Sequence, residues 1–416
     1  MLALAKNRNY TLLWVAQFIS MIGDWALFTA LPFFIYKITG SVLATGAMFM
    51  IQVVPPLVFG SLAGVFVDRW DHRWTMIGSS LFRGVVLLML LGIRSADKVW
   101  LVYLAGFLET TASQFFGPAN NALLPRLVGE DQLLSANSLD SLGENSARLI
   151  GPALGGVLLA AVGLNIVVII DIFSYLAAAL LMFFIHVNMV VPELAEKAPG
   201  SSRASISDFL KELAAGFRLV LNSKPLSRIF LVIGIALLAD SILTVLFVAF
   251  FQDVVGVGST EFGISLTTRG LAGILGGIVI GAVGSKFKPG HLISFGLIGT
   301  GIGLGAMVFW PRFVVSLVIL ILLSVPIMSW LLSSRTWIQS HSPDKFRGRV
   351  FGGLDTFSAL LMLLGMGFAS VIGDTIGIST TLYISAGIYV LSGILAIFLL
   401  GKADAAPESV LQAGIE

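Results

Sequence analysis

Ionisable side chains are sparse in this chain, and several fall where apolar sequence surrounds them. Asp24 stands in the run LLWVAQFISMIGDWALFTALPFF, about 20 Å along a helix that starts near residue 11 and rises 1.5 Å per residue. Gln17 precedes it by two helical turns on nearly the same face. A carboxylate in hydrocarbon is costly, so it must line a polar cavity or meet a cation. Burial disfavours its charged form, which suits an acid that exchanges protons near neutral pH. The plainer alternative is a hydrogen-bond acceptor for a neighbouring helix.

Glu109 and Arg148 form a second candidate set, at similar depth on what should be adjacent antiparallel helices. That depth leaves a pairing open to them, which would act either as a fixed tie or as a contact that opens when the acid takes a proton. Asp240 and Arg269 repeat that logic later in the chain, both in the outer half of their spans. Asp171 has no obvious partner and reads as helix-packing polarity. Arg83, Asp140, Glu144, Arg335 and Asp355 fall near one set of helix ends, where charge pairs between helices are the expectation.

These residues need apolar helices to position them, and the composition supplies them. Of 416 residues 57% are hydrophobic and 12% charged, with mean hydropathy +0.96, which points to repeated membrane helices rather than a soluble domain. Apolar runs between charged or Gly/Pro breaks give twelve spans: 11–36, 43–66, 75–94, 99–118, 139–162, 165–186, 227–252, 262–284, 291–310, 313–334, 350–373 and 379–401. The basic N-terminus leads into the first span, which is too long and too polar for a cleaved signal. Most Lys and Arg fall at one set of helix ends, whereas the other carries Lys37, Arg94, Lys98 and Arg312. That bias places both termini in the cytoplasm of a multi-pass cell-membrane protein. The net charge of +2 decides little.

The chain divides into halves at 1–186 and 228–402, with a linker at 187–227 and a tail at 403–416. The linker opens on VPELAEKAPGSSR, and from Ile206 to Leu221 apolar residues recur at helical spacing, which predicts an amphipathic cytoplasmic helix. Gly60 and Gly64 recur as Gly277 and Gly281, each 217 positions later, and Asp24 falls within one residue of Asp240 by the same step. Two similar halves in the same orientation make a parallel repeat.

One stretch is more specific than any span. GSLAGVFVDRWDHR, Gly60 to Arg73, puts a glycine pair on one helix face and then a tight run of charge. The glycines predict close approach of a neighbouring helix. Gly60, Leu62, Gly64, Asp68, Arg69 and Arg73 match the G-x-L-a-G-x-x-x-D-R-x-x-x-R loop, so the chain resembles the major facilitator superfamily. Its second copy, around GSKFKPG, has lost the Asp-Arg pair. The fifth span opens on Gly151, Pro152, Gly155 and Gly156, which resembles the G-P-x-x-G-G motif of proton-coupled exporters in the superfamily. The loops FFGPANNALLPRLVGEDQLLSANSL and DKFRGRVFG are similar to those of the drug–proton antiporter branch that includes macrolide exporters and the enterobactin exporter. The fourth span departs from that branch, carrying Glu109 where many antiporters have an arginine.

The resemblance covers all twelve helices and implies an all-α fold of two six-helix repeats, working as a secondary transporter by alternating access. It implies a small-molecule substrate, contact with membrane lipids, no nucleic acid and a monomer. The expected energy source is a proton gradient, with no bound cofactor, driving export of an amphipathic compound. In relatives the loop's Asp meets the start of the eleventh helix, so Asp68, with Arg69 or Arg73 reaching Asp355, is expected to latch the outward-open state. A lipid flippase or solute importer of the same fold, and a non-transporting scaffold or sensor, remain the alternatives. The chain has no cysteine, no P-loop, no H-E-x-x-H and no G-x-S-x-G, so disulfide, thiolate-metal, nucleotide-driven and hydrolytic chemistry have no sequence support.

Overall fold

The computed structural model describes Leu4, residues 6–186, Arg218, residues 220–342 and residues 346–401. Among them the chain forms twelve long α-helices. They are α1 (Arg8–Thr39), α2 (Val42–Val67), α3 (His72–Leu87), α4 (Trp100–Val128), α5 (Leu133–Val162) and α6 (Leu164–Phe183), then α7 (Lys224–Ala249), α8 (Ser259–Val283), α9 (Pro289–Phe309), α10 (Phe313–His341), α11 (Arg347–Ile376) and α12 (Ile378–Leu400). Each expected span falls on one of them. The amphipathic helix expected from Ile206 lies almost wholly outside the described residues, as does the tail after Gly401.

Eleven of the twelve are long and apolar enough to cross a membrane. The exception is α4, whose middle carries Glu109, Thr110, Thr111, Ser113, Gln114, Asn120 and Asn121. A helix that polar needs protein around it, so it marks the wall of a polar site.

Helix ends follow local chemistry. Asn7 and Ser41 cap α1 and α2 by accepting from the backbone N–H of Tyr10 and Ala44, each at 3.2 Å. Gly40 ends α1 at φ 61, a left-handed turn that only glycine enters freely. Asp71, in the charged loop, caps α3 by accepting from Trp74 N–H at 3.0 Å. That cap starts α3 three residues before the expected span, and its last turn tightens into a 3₁₀ segment, Leu88–Gly92.

The helices gather into two units. One takes Met1–Phe209 with Gly256–Thr267, the other Leu210–Val255 with Thr268–Glu416. In the first, α1 packs on α5 and α6, α3 packs on α4 and α6, and α2 packs on α4. In the second, α7 packs on α11 and α12, and α9 packs on α10 and α12. The α1–α5, α1–α6, α3–α4 and α3–α6 pairings recur displaced by six helices, so the repeat seen in the sequence is also a repeat of packing. Two apolar clusters fill the first unit, one around Tyr10, Leu13 and Ala16, the other around Ala26, Ala30 and Ile35. Along α1 the interval between them holds Gln17, Ser20 and Asp24, a polar layer within the bundle.

Candidate transport site

Asp24 does not stand alone. Arg83, from α3, donates through Nη2 to both of its carboxylate oxygens at 3.2 Å. The same guanidinium donates through Nε to Oε1 of Glu109, on α4, at 2.8 Å, and through Nη2 to that oxygen as well. One cation thus serves two acids from two other helices. Tyr175, from α6, donates its hydroxyl to Asp24 and lies 3.3 Å from Glu109 Oε1. Its ring sits under the guanidinium, 4.3 Å from Cζ, which holds the arginine plane in place. Arg83 and Tyr175 are buried; the acid side chains keep some exposure, 34% for Asp24 and 24% for Glu109.

That exposure faces a cavity of about 250 Å³. Asp24, Arg83 and Glu109 line it together with Asp171, Gln52 and an apolar wall that includes Trp25 and Phe28. Asp171 is buried and accepts from the Ser174 hydroxyl at 3.0 Å. It presses against Gly23, where a Cβ would collide with its carboxylate. Three carboxyl groups therefore line this cavity, and the one arginine pairs with two of them, Asp24 and Glu109. Gln17 sits two turns away and donates to Asn120 Oδ1 on α4 at 2.7 Å.

The pairing of Glu109 with Arg148 that the sequence left open does not form. Arg148, on α5, reaches Glu144 one turn back at 3.4 Å and lies 5.0 Å from the Trp25 ring. Arg83 takes Glu109 instead. Arg83 is eleven residues into α3, about 16 Å along the helix and level with Asp24, rather than at the helix end. Asp171, expected to be packing polarity, lies on the same cavity.

The second unit has a smaller site of about 40 Å³, lined by Asp240, Arg269, Thr300, Trp330 and Tyr389 among apolar neighbours. Asp240 accepts from the Tyr389 hydroxyl at 2.9 Å. Arg269 lies on the same small cavity, but it stacks on Phe247, 5.8 Å from the ring centre, rather than closing an ion pair with Asp240. The two sites share a plan. An acid on the unit's first helix accepts from a tyrosine on its last, Asp24 with Tyr175 and Asp240 with Tyr389. Sequence reasoning missed both tyrosines because it weighed charge alone. The repeat step was the available signal, since the acids stand 216 positions apart and the tyrosines 214.

A sequence model of the family described as transmembrane secretion effector matches residues 1–412. The chain belongs to that family. Its relatives include macrolide efflux protein A of Streptococcus pyogenes, 26% identical over 90% of this chain and 91% of the relative. The enterobactin exporter EntS of Shigella boydii is 25% identical, covering 84% of this chain and 81% of its own. Among solved structures, a bacterial homologue of the iron transporter ferroportin superposes with TM-score 0.75 over 96% of this chain and 99% of its own, at 16% identity. The fold is that of the major facilitator superfamily, and the chain is a multi-pass membrane transporter.

The glycine-proline motif acts through close packing. Cβ atoms at Gly151 and Gly155 would overlap Trp25 and the Ala26 backbone on α1, so α5 lies directly against the segment that presents Asp24. Gly156 does the same against Ser259 and Gly263 at the start of α8, and Thr267 donates to the Leu149 carbonyl at 3.0 Å. Pro152, buried, follows Gly151 in the middle of the helix, and its carbonyl faces Gly263. The charged loop is different. A Cβ at Gly64 would meet nothing within 4 Å, and one at Gly60 would make only ordinary contact with Gln114 at 3.6 Å. The close approach expected at this pair is absent among the described residues; α2 and α4 also meet at Gly106, against Ile51 and Gln52. Arg73 donates to the carbonyls of Met182 (3.1 Å) and Phe183, tying α3 to the end of α6. Asp68 follows the last residue of α2, and Asp355, on α11, has Arg335 as a charged neighbour. Among the described residues no cluster of His, Cys, Asp and Glu has the arrangement of a metal site.

Proposed function

We propose that this transporter exports an amphipathic small molecule by alternating access, driven by inward proton flow, with Asp24 as the coupling acid. The observation that carries the reading is the sharing of Arg83 between Asp24 and Glu109 on a cavity that also holds Asp171. One cation cannot balance three carboxylates, so the site favours whatever brings positive charge, a proton or a basic group on the substrate. Protonating Asp24 removes one claim on Arg83 and leaves the guanidinium to Glu109. The tie between α1 and α3 then loosens while that between α3 and α4 stays. Substrate and proton compete for the same acids, which is the requirement of an exchanger.

The relatives' names support the direction and size of cargo, since macrolides and enterobactin are both bulky organic molecules moved outward. The apolar wall with Trp25 and Phe28 suits such a body. The protein works in the cell membrane, with both termini on the cytoplasmic side by the charge bias, as a monomer among lipids and with no bound cofactor. The test is efflux from proteoliposomes under an imposed pH gradient, using a panel of macrolides, catecholate siderophores and lipophilic amines. Gradient-driven movement of at least one member supports export; movement independent of the gradient rejects proton coupling.

A further inference from the structure

We propose that the groove between α3 and α4 holds an anionic phospholipid, with its phosphate on Arg69 and an acyl chain along the helix walls. The groove, about 750 Å³, opens at the loop between α2 and α3. Arg69, Trp70, Trp74 and Phe115 line its mouth, and Phe82 and Leu108 its deeper part. Phe82 is ten residues beyond the start of α3, so the groove runs about 15 Å inward from the membrane boundary. That is the direction and reach of an acyl chain whose headgroup stays at the loop. Trp70 and Trp74 are each about half exposed, 49% and 54%. Trp70 stacks on Phe115 at 5.8 Å, which fixes one wall. Tryptophans at a helix end belong to the headgroup level of a bilayer.

Every lipid-facing surface is covered by acyl chains; the charge at the mouth sets this one apart. Arg73 is committed to the Met182 and Phe183 carbonyls. Asp71 also lines the groove, but its carboxylate accepts from Trp74 N–H at 3.0 Å as the cap of α3. Ser79 spends its hydroxyl on the Ala112 carbonyl at 2.8 Å. Arg69 makes no hydrogen bond or ion pair with other described residues. The mouth therefore offers one uncommitted guanidinium above an apolar channel. That is the complement of a phosphate diester carrying a hydrocarbon tail. The inference does not depend on what the transporter carries.

The test uses the full-length protein purified in a mild detergent, with phosphatidylglycerol and phosphatidylcholine of identical acyl chains as probes. Native mass spectrometry reads the retained lipid, and thermal unfolding reads stabilisation. Wild type should retain phosphatidylglycerol in preference. Arg69→Gln should cut that preference about fivefold, the worth of one basic side chain near an anionic lipid surface. Arg69→Lys should keep most of it, and Gly78→Leu, filling the groove, should lower retention of both lipids. Arg94→Gln, on an exposed cation elsewhere, should change nothing. Equal retention of the two lipids by wild type, an unchanged preference in Arg69→Gln, an equal loss in Arg94→Gln, or displacement by inorganic phosphate at matched concentration would each overturn the proposal.

Discussion

Nε of Arg83 donates to Oε1 of Glu109 at 2.8 Å, joining α3 to α4 beside the cavity that Asp24 faces. Removing one side of such a buried pair leaves an uncompensated charge. Arg83→Met is expected to destabilise the protein by about 3–5 kcal/mol. Adding Glu109→Gln should restore part of that loss, because the second change removes the orphaned acid. Chemical denaturation of the single and double variants in detergent checks this; additive losses would show that the pair is not coupled.

Tyr175 ties the same cluster from α6. Tyr175→Phe keeps the ring under Arg83 but deletes the hydroxyl that reaches Asp24 and Glu109. The expected cost is about 1 kcal/mol, that of one hydrogen bond, since Arg83 still donates to Asp24. Tyr389→Phe should cost a similar amount in the second unit, where the hydroxyl meets Asp240. A thermal unfolding series reads both, and a neutral result at both positions would deny the shared plan.

The two glycine motifs should respond in opposite ways. Gly155→Leu forces a side chain into the Ala26 backbone and should cost about 3 kcal/mol or prevent accumulation of folded protein. Gly64→Ala meets open space and should be neutral or stabilising by about 0.5–1 kcal/mol, the usual gain of alanine over glycine in a helix. Equal sensitivity at the two positions would mean that α2 has a close neighbour the described contacts lack.

Asp71 and Asp68 sit in one charged loop yet should separate by assay. Asp71→Ala removes the α3 cap and should cost about 1 kcal/mol of stability. Asp68→Ala breaks no hydrogen bond among the described residues, so its effect should appear in transport rate rather than in unfolding.

Much of this was legible in the sequence, and the residues show why. Asp24 stood out because a carboxylate in apolar sequence has few reasons to be there. The twelve spans followed from apolar runs, and α4 was found although its composition is the most polar, since Trp100–Leu108 and the flanking breaks mark it. The partner of Glu109 was not legible. Arg83 lies about 16 Å along α3, and its choice of Asp24 and Glu109 depends on how three helices pack, which no single run of sequence records. Tyr175 was hidden for another reason: a tyrosine among apolar residues looks like core until its hydroxyl finds an acid. Gly60 and Gly64 have helical spacing suited to close packing, but spacing alone does not supply a neighbour.

The central claim is that Asp24 couples proton movement to export. Its most direct measurement is gradient-driven transport by proteoliposomes of the wild type and Asp24→Asn, with a substrate that the wild type moves, across a range of imposed pH gradients. The account predicts that Asp24→Asn still binds the substrate but no longer accumulates it against its gradient, and that its rate stops following pH. Transport by Asp24→Asn at the wild-type rate with the wild-type pH dependence would contradict it.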